Sequence, residues 1–306
     1  MKGDWLQPSP MSVGQTDLAP LAGSATPLAA RDRSAGRDSD LAEIVCLALF
    51  AALVSLWGLR SGPGLGDHEA IVPVGARSML QTGEWLIPKV GQEEFLRKPP
   101  LPFWLVAVSS YLVDAPEQSL PVSPMAARFP SAIAAILSVL VVYAIGQSMF
   151  GHRTGLVSGA VMASSAGTLF FAHNAQVEMV LTFFSTSAVA CFWFATEQNK
   201  SGRTWSALFY LSLAMAMLAK APLPMATVVL PLFVWWLLTV PLSRLAESGE
   251  TPAETTDPPS RLAILKRQIH RFRKCRPIPG LFVFLLLFLP WPLSCSPKFD
   301  PAVMRV

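Results

Sequence analysis

Charged residues are scarce in this chain. Asp, Glu, Lys and Arg make up 14% of its 306 residues, whereas soluble globular proteins average about 25%. Hydrophobic residues make up 52% of the sequence. This composition excludes an ordinary soluble domain and predicts a membrane protein with several spans. The formal net charge is only +4, which gives no reason to expect a nucleic-acid partner.

Cysteine is also scarce, and no metal-ligand pattern is present. The four cysteines lie far apart, at Cys46, Cys191, Cys275 and Cys295. Without a Cys-x-x-Cys pair or a Cys/His ligand spacing, neither a disulfide framework nor a zinc site is predicted. Proline, by contrast, occurs 27 times, and many of these residues flank apolar runs, where they end helices.

Long apolar runs dominate the sequence and predict an all-α polytopic integral membrane protein. About seven spans are expected, at Leu41–Arg60, Phe129–Phe150, Gly155–Ala172, Met179–Thr196, Trp205–Leu218, Leu223–Leu242 and Leu281–Leu293.

Polar segments divide the chain into four expected regions. Residues 1–40 lack the apolar core of a signal peptide and are expected to be a disordered cytoplasmic tail. The membrane core covers residues 41–242 and includes a long outer loop, 61–128. A polar and basic cytoplasmic loop follows at 243–280, and the last span lies within 281–306.

Two apolar stretches inside the outer loop are too short to cross a bilayer. Glu69–Leu80 is predicted to be a helix on the membrane surface, and Leu101–Leu112 is predicted to be re-entrant or interfacial.

Lysine and arginine in alternate short loops predict the orientation. Arg153, the Lys200–Arg203 loop and the basic segment Arg261–Arg276 share one side with the basic N-terminal tail. Cytoplasmic loops carry this excess, so the N-terminus is predicted to be cytoplasmic. The opposite, outer side then carries the unusual ionisable residues Asp67, Glu69, Lys98, Glu178 and Lys220.

Each of these residues has a functional and a structural interpretation. Asp67 and Glu69 could deprotonate an acceptor or hold a divalent cation; alternatively, Asp67 caps a helix and Glu69 interacts with its dipole. Glu178 could be a second catalytic acid or another helix-dipole partner. His173 is a ligand, a proton carrier or an ordinary interfacial histidine.

Lys98 and Lys220 suit a phosphate group. Lys98 precedes Pro99-Pro100 and is held on stiff extended backbone. Lys220 is either a snorkelling lysine at a helix end or a point-charge partner for phosphate. Cations for a phosphate-bearing donor and carboxylates for proton abstraction together predict group transfer from a lipid phosphate.

Several motifs resemble one known family. Met79–Trp85 and Lys98–Trp104 resemble the first outer loop of lipid-linked sugar transferases with the GT-C fold, which include lipid A aminoarabinose transferases and relatives of protein O-mannosyltransferases. Further similar segments follow in the family's order, and they are Ala127–Ala132, Glu178–Phe184, Leu218–Pro222 and Pro290-Trp291.

The resemblance implies a GT-C-like helical bundle with a structured first outer loop. It implies transfer of a sugar from a polyprenyl-phosphate donor to a lipid, protein or glycan acceptor at the outer face of the bacterial inner membrane. Lys98, Lys220, Arg128 and His173 are the expected substrate-binding residues, and the expected catalytic acids are Asp67, Glu69 and Glu178.

Two features depart from the family pattern. The usual Asp-Glu pair falls on His68-Glu69 in strict register, and Asp67 lies one residue early. Family members also usually continue for further spans, so a C-terminally truncated member is expected. A transporter or flippase-like protein, and an inactive fragment of the transferase, are the alternatives.

Overall fold

A computed structural model describes residues 28–60, 64–91, 93–114, 122–197, 202–247, 273 and 275–295. The chain divides into two compact units, Met1–Ala42 and Glu43–Val306. The helices are α1 Leu28–Leu56, α2 Asp67–Thr82, α3 Leu101–Val113, α4 Pro124–Phe150, α5 His152–Ser164, α6 Ala166–Ala172, α7 Glu178–Glu197, α8 Gly202–Lys220, α9 Leu230–Glu247, α10 Pro277–Phe288 and α11 Pro290–Cys295. Two short strands, β1 Lys89–Val90 and β2 Glu93–Glu94, pair antiparallel with Lys89 opposite Glu94.

Helix α1 begins well before the predicted first span. The segment predicted as a tail is helical from Leu28 onward, because Ala, Leu and Arg, all strong helix formers, recur there. Residues 1–27 lie outside the described part of the chain, as does most of the predicted basic loop, residues 248–272 and 274.

The predicted outer loop is built from α2, the β1–β2 hairpin and α3. Helix α2 ends at Gly83, whose positive φ of 73° suits glycine at a helix C-terminus. It packs closely on α3, since a Cβ atom placed on Gly75 would lie 2.5 Å from the Phe103 ring. The α3 helix starts directly after Pro99-Pro100 and has Pro102 in its first turn, where proline is tolerated.

Three helical segments in the described residues are long and apolar enough to cross a membrane. They are Pro124–Phe150, Glu178–Thr196 and Pro277–Cys295. The bent pair α5–α6 makes a fourth if it is one span. The prediction of an all-α polytopic membrane protein is confirmed.

The prediction of about seven spans exceeds this number, because the helices that contain Leu41–Arg60, Trp205–Leu218 and Leu223–Leu242 are not among these candidates in the described residues. Two predicted spans also differ in shape. Gly155–Ala172 is not one straight helix, because α5 and α6 meet at Ser165 with a bend of 56°. The hydroxyl group of Ser165 caps α6 by accepting a hydrogen bond from the backbone N–H of Thr168, which starts a new helix at that point. The predicted span Leu223–Leu242 opens with a π-helical turn, Met225–Val229.

Small residues allow the helices to approach each other closely. Gly155 lies against the backbone of α4, where an added Cβ would meet the carbonyl oxygen of Tyr143 at 2.8 Å. Gly159 faces Leu47 of α1, and Gly280 of α10 faces the ring of Tyr210 in α8. Close packing through small residues is the usual basis of helix association in membranes.

Candidate functional site

The predicted catalytic acid Glu69 forms a buried ion pair with Arg128. Nε and an Nη nitrogen of Arg128 each donate to a carboxylate oxygen of Glu69 at 3.1 Å. Glu69 is 8% exposed and Arg128 is 4% exposed. A bidentate arginine–carboxylate pair of this kind is geometrically specific, and here it joins α2 to the first turns of α4.

Backbone amides complete the surroundings of the Glu69 carboxylate. It accepts hydrogen bonds from the N–H of Ala175 at 2.9 Å and from the N–H of Gly66 at 3.3 Å. Burial alone raises the pKa of Glu69, but the hydrogen bonds and charge of Arg128 and these two amides hold it below its ordinary value. A carboxylate stabilised in its charged form is a poor proton acceptor, so this geometry gives Glu69 a positioning role.

The other two residues at the start of α2 face differently. Gly66, not Asp67, is the N-cap, so the alternative interpretation of Asp67 as the cap is wrong. Successive helical residues turn by about 100°, which places Asp67 nearly opposite the face that buries Glu69 and Val72. Asp67 is exposed and has no hydrogen bond or ion pair with any described residue. His68 is also exposed but lies closer in angle to the buried face.

Glu178 and Lys220 form the second ion pair. Nζ of Lys220 donates to Oε1 of Glu178 at 2.9 Å. The Glu178 side chain is 29% exposed and the Lys220 side chain is 44% exposed, so water or a ligand reaches both. The pair joins the first residue of α7 to the last residue of α8.

Lys98 belongs to the same charged group. Burial lowers the pKa of Lys98, while the charge of Glu178 raises it and the charge of Lys220 lowers it further. The three side chains therefore lie within electrostatic reach of one another. Two ammonium groups beside one carboxylate leave a net positive charge, which suits an anionic ligand such as a phosphate.

One short segment connects the two ion pairs. Residues 174–177 follow α6 and lead directly into Glu178. Within it, the N–H of Ala175 donates to Glu69 and the carbonyl oxygen of Gln176 accepts from Ser131 at 3.2 Å. The position of this segment therefore sets both groups of charged residues.

The motif segments meet in one buried cluster. Leu101 after the Lys-Pro-Pro segment, Met179 after Glu178, Leu218 before Lys220 and Trp291 of the Pro-Trp pair all belong to it. Packing thus brings distant parts of the sequence to one end of α3, α7 and α8. Leu101 and Trp291 are 6% and 9% exposed.

An apolar groove begins near this cluster. Its volume is about 250 Å³, and it lies between α3, α4 and α7. Val180, one of its lining residues, is two residues after Glu178 and lies nearly opposite it around α7, at about 100° per residue. The remaining lining comes mainly from aliphatic and aromatic side chains, including Leu105, Val108, Phe129, Ile133, Phe183 and Phe184.

His173 lies apart from the lysine pair in its contacts. Its ring nitrogens lie 2.8 Å from the carbonyl oxygen of Leu169 and 2.9 Å from that of Trp57. These carbonyl groups belong to helix ends. Arg128 forms its ion pair with Glu69 and not with the group that contains the lysines. The structure thus brings Lys98, Lys220 and Glu178 together, groups Glu69 with Arg128, and leaves Asp67 on an exposed face.

A divalent cation does not fit the described residues. Among them, no three His, Cys, Asp or Glu side chains come together as a ligand group. Glu69 and Glu178 each form an ion pair with a basic side chain, Arg128 and Lys220 respectively.

Trp85 and Trp104 were not predicted as site residues. The indole N–H of Trp104 donates to the carbonyl oxygen of Trp85 at 2.5 Å, which ties the start of α3 to the segment after α2. Trp104 also packs against both buried clusters of this region. Both residues stand inside the motif segments Met79–Trp85 and Lys98–Trp104, and a half-buried indole N–H usually finds an acceptor.

Comparison with known proteins is consistent across the chain. The profile of the dolichyl-phosphate-mannose-protein mannosyltransferase family matches residues 97–249. An uncharacterised protein of Aquifex aeolicus is 29% identical over 178 residues, covering 57% of this chain and 33% of that protein. An undecaprenyl phosphate-alpha-4-amino-4-deoxy-L-arabinose arabinosyl transferase of Proteus mirabilis is 26% identical over 186 residues, covering 60% of this chain and 32% of the relative. The chain thus spans about a third of the length of these relatives.

Solved structures show the same fold. ArnT from Cupriavidus metallidurans bound to undecaprenyl phosphate superposes with a TM-score of 0.65 at 18% identity, covering 84% of this chain and 42% of that one. The S. cerevisiae protein O-mannosyltransferase Pmt1-Pmt2 complex superposes with a TM-score of 0.59 at 18% identity, covering 84% of this chain and 33% of that one. Both are glycosyltransferases of the GT-C type, and the expected GT-C fold is confirmed. The chain belongs to the dolichyl-phosphate-mannose-protein mannosyltransferase family.

Proposed function

We propose that this chain forms the donor-binding part of a glycosyltransferase that takes a sugar from a polyprenyl phosphate. The observation that carries the proposal is the group formed by Lys98, Lys220 and Glu178. It offers two cations to a phosphate group at one end of the predicted membrane spans.

An apolar groove near the same end of α7 offers a surface for a hydrocarbon chain. Its α7 lining residues Val180, Phe183 and Phe184 lie nearly opposite Glu178 around the helix, at about 100° per residue, so the groove is separate from the phosphate site. A volume of about 250 Å³ accommodates the first isoprene units rather than a whole polyprenyl chain. The undecaprenyl phosphate named for the ArnT structure is a ligand of this chemistry.

The proposed reaction is a direct displacement at the anomeric carbon. An acceptor nucleophile forms a bond to that carbon, and the bond from carbon to phosphate oxygen breaks. The polyprenyl phosphate leaves with the electron pair, and Lys98 and Lys220 stabilise its negative charge. The acceptor's proton passes to a base, for which Asp67 and His68 are the candidates at the start of α2.

Glu178 has a different proposed role. It holds Lys220 in place before the donor binds, so the phosphate does not have to order that side chain. Preorganisation of this kind lowers the cost of binding. The Glu69–Arg128 pair fixes the start of α2 against α4, and thereby the position of both candidate bases.

A transfer assay tests the proposal. The chain is reconstituted in liposomes made from bacterial lipids as acceptor, with a radiolabelled sugar on undecaprenyl phosphate, and movement of the label from undecaprenyl phosphate to the acceptor is followed. We expect Lys98→Met and Lys220→Met each to reduce turnover at least tenfold, because each removes a charge from the leaving-group site. Lys89→Met is the matched control, since Lys89 pairs with Glu84 at the surface. Equal turnover in all three variants contradicts the proposal.

The transporter alternative receives less support. Transporters use discontinuous helices with unsatisfied ends near the bilayer midplane, and the α5–α6 bend is such a break. However, the hydrogen bonds at this bend are local. The Ser165 hydroxyl donates to the carbonyl oxygen of Met162 and accepts from the backbone N–H of Thr168. No charged residue takes part in these bonds. Uptake of labelled sugar into liposomes without transfer would favour the alternative.

The proposed localisation is the bacterial inner membrane. The positive-inside rule places the basic loops in the cytoplasm, and this puts Lys98, Glu178 and Lys220 at the outer face. Labelling a cysteine introduced beside Lys98 with a membrane-impermeant maleimide tests this orientation; reaction only after lysis contradicts it.

A further inference from the structure

His173 stands where the C-terminal ends of two helices meet. Its Nδ1 lies 2.8 Å from the carbonyl oxygen of Leu169, in the last turn of α6. Its Nε2 lies 2.9 Å from the carbonyl oxygen of Trp57, which follows the last residue of α1. Carbonyl groups at a helix C-terminus lack partners within the helix. The imidazole ring therefore supplies a partner to each of the two ends.

The chemistry of these two contacts requires a protonated ring. A carbonyl oxygen only accepts hydrogen bonds, and a neutral imidazole carries one N–H. Both bonds can form together only in the imidazolium form, which carries two. Helix C-termini also bear partial negative charge, which favours a cation at this point.

The surroundings of the ring are mostly apolar. A depression of about 480 Å³ beside it is lined by Leu53, Val54, Trp57 and His173 itself, and among the three neighbours only Trp57 carries a side-chain donor, its indole N–H. Asn174 donates to the carbonyl oxygen of Phe170. The charged groups nearest along the chain are Arg60 after α1 and Glu178 at the start of α7.

A second histidine provides a natural comparison. Nε2 of His152 lies 2.9 Å from the Glu43 carboxylate, and its Nδ1 lies 3.0 Å from the hydroxyl of Tyr143. A tyrosine hydroxyl can donate to a bare ring nitrogen. His152 therefore makes both of these bonds in its neutral form, whereas His173 does not.

We propose that His173 is a protonation-dependent positioning residue that clamps the end of α1 to the end of α6. Deprotonation forces the ring to give up one carbonyl group. The clamp lies two residues before Ala175, whose N–H holds Glu69, and the chain leaving α1 leads to Asp67 and His68. The clamp thus lies beside the segment that holds Glu69 at the start of α2.

Hydrogen–deuterium exchange on the full chain in nanodiscs tests the clamp without any sugar transfer. Exchange is followed over a series of pH values and corrected for intrinsic exchange; we expect peptides covering Leu53–Arg60 to exchange about tenfold faster or more once the ring has lost its second proton. His173→Gln removes this pH dependence, and His173→Arg keeps the protection at every pH. His152→Gln, the matched control, leaves the dependence at Leu53–Arg60 unchanged.

Two results would overturn the clamp: wild-type exchange of this segment that does not change with pH, or a wild-type pH dependence that persists in His173→Gln. If His173→Gln fails to fold, exchange of Leu53–Arg60 in the wild type and in His173→Arg over the same pH series still tests the clamp. A second arm rests on the proposed function: at one fixed pH, His173→Gln should lower sugar transfer and His152→Gln should not. A clamp seen by exchange with no transfer at any pH refutes the proposed function and leaves the clamp intact.

Discussion

Breaking the Glu69–Arg128 ion pair should be the most damaging single change in this region. Arg128→Met removes the guanidinium and leaves a carboxylate that is 8% exposed with two backbone N–H donors. Removing one partner of a buried ion pair costs about 3–5 kcal/mol, because the remaining charge is buried without compensation. The exposed pair of Lys89 and Glu84, with side chains 32% and 57% exposed, should contribute only about 0–1 kcal/mol.

Thermal unfolding in detergent measures this difference. At about 2–4 °C per kcal/mol for a chain segment of this size, Arg128→Met should lower the melting temperature by about 6–20 °C. The double variant Glu69→Gln/Arg128→Met should recover part of the loss, since it also removes the buried charge. Lys89→Met is the control. If Arg128→Met costs no more than Lys89→Met, or the double variant is worse than Arg128→Met, the reasoning is refuted.

Four further predictions concern pH, packing and the choice of base. The pKa of Glu69 is held below its ordinary 4.5, so the stability it adds is present above pH 4.5 and is lost as pH falls through the lowered value; Glu69→Gln should flatten the acid limb of a melting-temperature profile. Gly75→Ala should lower the free energy of unfolding by about 1–3 kcal/mol, measured by the same thermal unfolding, because the new methyl group would lie 2.5 Å from the Phe103 ring. Gly64→Ala is the control and should cost less, since its methyl group would meet no atom within 4 Å. Burial lowers the pKa of Lys98 below 10.5, so donor binding should weaken with rising pH earlier than for an exposed lysine, and Lys98→Arg should abolish that loss. Asp67→Asn and His68→Gln separate the two candidate bases: the variant that lacks the base should lose transfer about 10²–10⁴-fold at saturating donor, while the other keeps most of it.

The sequence predicted the broad fold well because hydrophobic runs determine membrane helices directly. Helices α2 and α3 lie within two residues of their predicted bounds, since turn residues such as Gly66 and Gly83 mark the ends of α2. The bend at Ser165 was missed because the run Gly155–Ala172 is apolar overall, and the break depends on a local hydrogen bond from the backbone N–H of Thr168 to the Ser165 hydroxyl. Hydropathy does not detect a bond of this kind.

The site was predicted less completely, because pairing depends on tertiary contacts. Lys98, Glu178 and Lys220 were expected on one side of the membrane, and the structure brings their charges within reach of one another. The partner of Glu69, however, lies 59 positions along the chain at Arg128, and no spacing rule connects them. A buried arginine nonetheless requires a partner, and this requirement could have directed attention from Arg128 to a carboxylate.

The helix face of Asp67 was beyond prediction from spacing. The pattern of apolar residues in Glu69–Leu80 is mixed, so the sequence does not reveal which side of α2 is buried. Burial of Glu69, Val72 and Ala76 fixes that face and turns Asp67 away from it. His68, which occupies the register position of the family's aspartate, thereby becomes a candidate of equal interest.

The binding of undecaprenyl phosphate to the chain in nanodiscs tests the central claim most directly. Equilibrium titration should show that Lys98→Met and Lys220→Met each weaken binding about tenfold or more, since each removes a charge-assisted contact to the phosphate. Lys89→Met should bind like the wild type, and uncharged undecaprenol should bind all four proteins weakly and alike. Equal affinities of undecaprenyl phosphate for the wild type and the two lysine variants would contradict the account.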